Sequence, residues 1–178
     1  MGSCKNCPAR ANVFSSPFFA RLGPQTSYAH SVGKLQFTTR INAPVARVYE
    51  LHTSAKHIPQ WFPKAIAVSG VTGPLNQVGS KYVIEMEGQP NALEEVLEVE
   101  TNLFHRRSFL MGSPVGVRGL ATARFEAIGD LTSMTFDVQY GIKPGFLGFA
   151  LEPLIKARIE QSIRDEIEAF KTFVEANA

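Results

Sequence analysis

Catalysis needs titratable or nucleophilic side chains at a suitable spacing, and this sequence arranges few of them in that way. Its histidines are His30, His52, His57 and His105. They form neither a Ser-His-Asp arrangement nor an H-E-x-x-H motif, and no glycine-rich phosphate loop occurs. Cys4 and Cys7 form a C-x-x-C pair, but a zinc site needs four ligands and only His30 is near. We therefore expect no metal and no cofactor.

One carboxylate is a candidate for acid–base chemistry. Glu95 shares one strand face with three apolar residues, Leu93, Leu97 and Val99. If that face points inward, Glu95 lies in an apolar wall with a raised pKa, and His105 or Arg107 on the next strand is its partner. If the face points outward, Glu95 is a solvated surface residue. The other acid–base candidates are Tyr82 and Tyr140, which carry hydroxyl groups on apolar bodies.

The composition indicates a folded domain that neither binds nucleic acid nor spans a membrane. Of the 178 residues, 44% are hydrophobic and 19% are charged, which is enough to bury a core. The net charge of +2 is too small for the clustered basic face of a nucleic-acid-binding protein. No run of about 18 apolar residues is present that would span a membrane.

The first 33 residues differ from the rest of the chain. They contain no acidic residue, and their basic residues are Lys5, Arg10 and Arg21. This composition is typical of a plastid or mitochondrial transit peptide, and equally of a disordered tail. We therefore predict a flexible tail over 1–33 and a folded domain over 34–178. We expect a cytoplasmic location, or an organellar one if the tail is a transit peptide.

The apolar pattern then predicts the order of helices and strands. Alternation over 34–41 predicts a strand, followed by a short helix capped by Asn42 and a second short helix from Ser54 to Trp61. Six strands follow, separated by turn residues, at 65–72, 79–87, 92–100, 103–112, 116–128 and 131–141. Their short connections make neighbouring strands antiparallel.

The stretch 144–176 predicts one long amphipathic helix. Its apolar residues recur every three or four positions, at Leu151, Ile155, Ile159, Ile163, Ile167, Phe170 and Val174. Pro153 predicts a break or kink. Such a helix must cover one face of a curved seven-stranded sheet, which is an α+β architecture.

Three stretches carry a resemblance to a known family. They are INAPVARVYELH with the corner PQWFP, the hairpin ARFEAIGDLTSMTFDVQY, and LEPLIKARIEQSIRDEIEAF. Together they resemble the START-like (SRPBCC) superfamily in its polyketide cyclase/dehydrase and lipid-transport branch, over about 34–176. The resemblance implies a helix-grip fold, in which a strongly bent sheet wraps around a long C-terminal helix and leaves a hydrophobic cavity. The family includes carriers, sensors, cyclases and co-chaperone modules, so it does not fix a function.

The hairpin at Gly129-Asp130 predicts which residues face that cavity. With a two-residue turn, Gly119, Ala121 and Ala123 lie on the inner face, and such small side chains leave room either for a ligand or for helix residues such as Phe170. The predicted ligand-binding residues are Trp61, Tyr82, Ile84, Met86, Gly119, Ala121, Ala123, Phe136, Val138, Tyr140, Phe146, Phe149, Leu151 and Ile155.

The stretch HIPQWFP places Trp61 and Phe62 between two prolines at a corner of the fold. In the family's arrangement the short helices plug one end of the groove, and KPGFLGFALEP forms the opposite wall of its entrance. The glycines of that segment, Gly145 and Gly148 among them, predict a gate. Trp61 either lines the groove or packs as part of the plug.

From these features we expect a non-catalytic binder or carrier of a hydrophobic small molecule, such as a lipid, an isoprenoid or a polyketide-like compound. The first alternative is a cyclase or dehydrase that acts on a polyketide-like substrate through Glu95, Tyr82 and Tyr140. The second is a co-chaperone-type interaction module. A buried Glu95 near a second polar group would favour the enzyme, and a closed cavity filled by helix side chains would favour the interaction module.

The tail gives a first testable prediction. A chain that begins at Gly33 should unfold within about 5 °C of the full chain, because the tail lacks an apolar period that would pack on a core. Thermal unfolding followed by circular dichroism measures the difference, and a larger drop would show that the tail belongs to the fold.

Overall fold

The computed structural model describes residues 32–112, 116–142 and 148–178, except for the side chains of 32, 148–152 and 155. Of the tail predicted over 1–33, residues 1–31 lie outside these residues, and Val32 and Gly33 begin the first strand. The turn 113–115 and residues 143–147 of the predicted gate also lie outside them. The described residues form seven strands and three helices. They are β1 Val32–Ile41, α1 Val45–His52, α2 Ile58–Trp61, β2 Ala65–Ser69, β3 Lys81–Met86, β4 Ala92–Glu100, β5 Phe104–Met111, β6 Val117–Ile128, β7 Leu131–Ile142 and α3 Gly148–Ala176. The predicted order of elements is confirmed.

The strands form one antiparallel sheet in the order β1-β7-β6-β5-β4-β3-β2. The two-residue turn between β6 and β7 pairs Ile128 with Leu131, so the register continues through Ala123 opposite Phe136 to Gly119 opposite Tyr140. This is the register that the sequence predicts. Residues that alternate along β3 and β7 are buried, as expected for strands with one face toward a core.

α3 packs on the inner face of this sheet and also against α1 and α2. Its described inward residues include Ile163, Ile167, Phe170 and Val174, all of them buried in the core. The fold is therefore the predicted helix-grip fold. The helix is continuous across Pro153, so the proline does not break it. Among the described residues no helix combines the length and the apolar composition that a membrane span requires.

The start of α1 is fixed by contacts with α3 and β7 rather than by a side-chain cap. The predicted cap at Asn42 is wrong, because the helix begins after Pro44 and no side chain accepts a hydrogen bond from its first turn. Instead the Asn42 N–H donates to Glu175 Oε1 at 2.8 Å. The buried Thr132 Oγ1 donates to the Ala43 carbonyl oxygen at 2.7 Å. Tertiary contacts therefore replace the local cap.

Candidate functional site

Four polar side chains meet between the sheet and α3, three of them buried and Glu166 partly buried. We call them the polar quartet: Tyr82 of β3, Glu94 of β4, Arg107 of β5 and Glu166 of α3. Arg107 Nη2 donates to Glu166 Oε1 at 3.2 Å. Arg107 Nε lies 2.8 Å from Glu94 Oε2, at an angle that makes the contact an ion pair rather than an aligned hydrogen bond. The Tyr82 hydroxyl donates to Glu94 Oε2. The side chains of Arg107 and Glu94 are only 6% and 5% exposed.

Strand register and helix periodicity bring the quartet together. Tyr82 pairs with Glu94 across β3 and β4, and residues directly opposite each other share a face. Arg107 pairs with Ala121 on β6, two positions along from the pair of Phe109 with Gly119. Glu166 interrupts the apolar stripe of α3 three residues after Ile163 and therefore faces the sheet.

The small residues of β6 make room for Arg107. Ala121 and Ala123 are buried beside Arg107 and His105 of β5. The Arg107 guanidinium extends over the ring of Phe136 on β7, with 5.4 Å from its central carbon to the ring centroid, so it crosses the strand between. The space that the sequence assigned to a ligand above these alanines is thus used by a charged side chain.

Burial and mutual charge shift the proton equilibria of the quartet. Burial alone lowers the pKa of Arg107, but Glu94, Tyr82 and Glu166 outweigh it and raise the pKa. Burial raises the pKa of Glu166 to about 7, against the opposing effect of Arg107. Burial and the Glu94 carboxylate raise the pKa of Tyr82 well above its usual value. A carboxyl group that titrates near neutrality can both take and give a proton, which is the property that acid–base chemistry uses.

An aromatic cluster lies at the same end of α3 as the two short helices. The rings of Trp61 and His52 stack with centroids 6.0 Å apart, and Phe170 meets Trp61 edge-on at 4.8 Å. His105 Nε2 lies 2.9 Å from the Leu75 carbonyl oxygen. Burial lowers the pKa of His105 to about 3 and that of His52 well below its usual value, so both imidazoles are neutral at pH 7.

The acid–base candidate Glu95 does not face the interior, so the alternative in which it lies in an apolar wall is wrong. Its side chain is 25% exposed and pairs with Lys81 Nζ at 3.4 Å. Its neighbour Glu94 occupies the interior instead, and sequence reasoning missed both Glu94 and Glu166. For Glu166 a signal was available, since it is a charged residue inside the apolar stripe of α3.

The opposite end of the inner face is apolar and less completely covered. Phe109, Met111 and Val117 pack against the core yet are only partly buried, and so is Ile159 of α3. The Phe109 ring lies over Gly119, where an added Cβ would come within 2.7 Å of it. This partly covered region, Phe109, Met111, Val117 and Ile159, is the apolar end of the groove.

The structure places the predicted ligand-binding residues in three groups. Trp61, Tyr82 and Ile84 line a small cavity beside the quartet. Buried core positions hold Met86, Ala121, Ala123, Phe136, Val138 and Tyr140, and Gly119 lies on the inner face beneath Phe109. Phe146 and the side chains of Phe149, Leu151 and Ile155 lie outside the described part of the structure. Within that part, no three His, Cys, Asp or Glu side chains come together as a metal site.

Replacing Ala121 by phenylalanine tests whether Arg107 fills the interior above β6. We expect a loss of about 1–3 kcal/mol in unfolding free energy, because the ring overpacks the space that the guanidinium uses. Ala127→Phe, at an exposed site on the same strand, is the control and should change it by less than about 0.5 kcal/mol. Urea unfolding measures both, and a fully tolerated Ala121→Phe would mean that the space is open.

The pKa of Glu166 predicts how stability depends on pH. Because the folded-state pKa is raised from 4.5 to about 7, the folded protein keeps a proton that the unfolded chain has lost. The contribution of Glu166 to stability therefore falls as pH rises from 4.5 to 7, by at most about 3 kcal/mol, and does not change further above that window. His52 and His105 act oppositely, because their lowered pKa values remove stability as pH falls below 6.5.

Comparison with Glu166→Gln isolates the Glu166 contribution, since the histidines are common to both proteins. The unfolding free energy of the wild-type protein minus that of the variant, measured by urea unfolding, should decrease between pH 4.5 and 7. Parallel profiles for the two proteins across that range would contradict the raised pKa.

Solved structures of other proteins share this fold. An uncharacterised protein from Rhizobium leguminosarum aligns with a TM-score of 0.65 at 19% identity, over 82% of this chain and 96% of that one. A truncated norcoclaurine synthase from Thalictrum flavum gives 0.61 at 18% identity, over 84% and 98%. DynU16, from the dynemicin biosynthetic locus, gives 0.61 at 17% identity over 81% of this chain, which spans about half of that protein, 48%. No curated protein sequence matches the chain.

The family comparison is more specific than these structural likenesses. Residues 33–175 match the family described as polyketide cyclase/dehydrase and lipid transport. This range runs from the second residue of β1 to the last turn of α3. The chain therefore belongs to the polyketide cyclase/dehydrase and lipid-transport family.

Proposed function

We propose that the protein binds a hydrophobic small molecule, such as a lipid, an isoprenoid or a polyketide-like compound, in the groove between the sheet and α3. One observation carries the proposal: the apolar end of the groove keeps large apolar side chains partly uncovered on the concave face of the fold. Apolar groups left open to water on an inner face have a hydrophobic contact to gain, and a bound apolar body supplies it.

The polar quartet gives this groove a floor that can orient a ligand. Buried ion pairs contribute little net stability, since desolvation of the charges offsets their attraction. Four polar groups at the sheet–helix interface are therefore better explained by recognition than by stability. An apolar pocket with a few convergent polar groups is the usual form of a small-molecule site.

The structural neighbours support a ligand-binding use of this fold. A point mutant of norcoclaurine synthase with the same fold was solved in complex with a transition-state analogue, at 17% identity and a TM-score of 0.60. That protein therefore holds a small molecule. For this chain the likeness supports the architecture, and the groove residues support the binding.

A charge placed in the apolar end should weaken binding. Met111→Glu should weaken the saturable binding of N-phenyl-1-naphthylamine at least about tenfold, because a carboxylate there must lose water when the probe enters. Leu110→Glu is the matched control, since Leu110 is the next residue of β5 and has its side chain on the outer face. It should change the affinity less than about twofold. Probe fluorescence measures affinity, and circular dichroism confirms folding.

Two results would contradict the proposal. One is the absence of saturable binding to the wild-type protein together with no co-purifying apolar mass in native mass spectrometry. The other is an equal loss of affinity in the two variants, which would place the bound probe outside the groove.

An acid–base enzyme of the cyclase or dehydrase kind is the second candidate, and the quartet favours it. Glu166 has a pKa of about 7 and faces the groove beside a guanidinium that can stabilise an enolate. In this role Glu166 takes a proton from the carbon beside a carbonyl and returns it. Tyr82 and Tyr140 remain acid–base candidates, whereas Glu95 does not. The co-chaperone-type module stays an untested alternative.

Proton exchange in heavy water separates the enzyme from the binder. An enzyme should accelerate deuterium incorporation beside the carbonyl of an aryl methyl ketone, and Glu166→Gln should abolish the acceleration. Glu168→Gln, at an exposed site on the same helix, should leave it unchanged. If the ketone binds but exchanges deuterium only at the uncatalysed rate, the protein is a binder and not an enzyme of this kind.

A further inference from the structure

The small cavity beside the quartet is lined by three residues that each carry a buried nitrogen atom without a hydrogen-bond partner among the residues described. Trp61 Nε1, His52 Nδ1 and His105 Nδ1 are buried and have no hydrogen-bond partner in the described part of the chain. The three residues are 5%, 5% and 1% exposed. All three line the same cavity, together with Tyr82 and Glu94. Unpartnered buried polar atoms are costly, so their convergence on one space points to a missing partner.

Two of these atoms have defined roles. The Leu75 carbonyl oxygen only accepts hydrogen bonds, so His105 Nε2 carries the proton and donates to it at 2.9 Å. In the neutral imidazole His105 Nδ1 is then an acceptor without a donor. Trp61 Nε1–H is a donor without an acceptor. The missing group must therefore both donate and accept.

Size limits that group to a single heavy atom. The cavity leaves about 10 Å³ for the centre of a water molecule, which corresponds to one oxygen. Polar partners on several sides make it a site that holds water, in contrast to an apolar void that stays dry.

Charge excludes the alternatives to a neutral group. The Arg107 charge is already met by Glu94 and Glu166, and both imidazoles are neutral, so no uncompensated positive charge awaits an anion. A cation is excluded because it would be repelled by the Arg107 guanidinium, which lines the same cavity. A neutral hydroxyl oxygen satisfies the donor, the acceptor and the size together.

We propose that this cavity binds one hydroxyl oxygen, which accepts a hydrogen bond from Trp61 Nε1–H and donates one to His105 Nδ1. His52 Nδ1 provides a further contact. The oxygen comes from water or from the hydroxyl group of a bound apolar alcohol. The second source rests on the proposed function, and it would make hydroxylated apolar molecules the preferred ligand class.

A crystal structure of the ligand-free protein tests the site itself. We expect density for one oxygen within about 3 Å of both Trp61 Nε1 and His105 Nδ1. An empty cavity, or one closed by side chains, overturns the proposal.

The emission of Trp61 tests the site in solution, because Trp61 is the only tryptophan of the chain. His105→Phe removes the acceptor and should shift the emission to shorter wavelength, as the indole N–H loses its oxygen partner. The control is His57→Phe, because His57 packs against Phe173 and does not line the cavity. An unshifted spectrum in His105→Phe, or an equal shift in both variants, counts against the site.

A matched pair of ligands, 1-dodecanol and dodecyl methyl ether, separates the two sources of the oxygen. If the ligand supplies it, the alcohol binds at least about tenfold tighter than the ether, and His105→Phe removes the difference. If water supplies it, the two bind alike and the density remains in the complex. If neither ligand binds, the proposed function fails, while the ligand-free crystal still decides the oxygen site.

Discussion

The buried guanidinium of Arg107 is the constraint on which the rest of the interior depends. A charge that is 6% exposed must be paired, and removal of one partner from a buried pair costs about 3–5 kcal/mol. The partners come from different layers, Glu94 from the sheet and Glu166 from α3. The side chain also needs an aromatic surface on β7 and small residues on β6, which Phe136 and the two alanines supply. The Arg107 side chain therefore fixes the positions of four strands and a helix relative to one another.

The quartet divides the inner face into two ends with different properties. Toward the short helices, Trp61, His52 and Phe170 form a close-packed aromatic cluster. Toward the start of α3, Phe109 and Met111 are only partly covered. Rigidity at one end and incomplete cover at the other suit a site whose polar floor is held in place while its apolar walls adapt to a ligand. The same family fold can serve binding or catalysis, so the groups at this boundary decide between them.

The sequence was sufficient for the fold but not for the polar interior. The order of elements along the chain and the β6–β7 register follow from short-range signals, alternation and a two-residue turn at Gly129-Asp130. The inward residue of β4 does not, because Glu94 and Glu95 are adjacent and identical, so alternation gives no contrast between the faces. Only the distant partners Tyr82 and Arg107 make the interior suitable for Glu94. Asn42 illustrates the same limit, since its N–H is satisfied by Glu175 rather than by a local cap.

The sheet order has a consequence for how the chain reaches this structure. From β2 to β7 every strand pairs with its neighbour in sequence, whereas β1 pairs only with β7. The side-chain bond between Gln36 and Asp137 joins residues 101 positions apart. Contacts of such separation form slowly, because the entropy of closing a long loop must be lost before they contribute. We therefore expect the meander of six strands to form first and the docking of β1 to limit the folding rate. Until then β7 presents an unpaired edge, so newly made chains are most prone to associate with one another through β7.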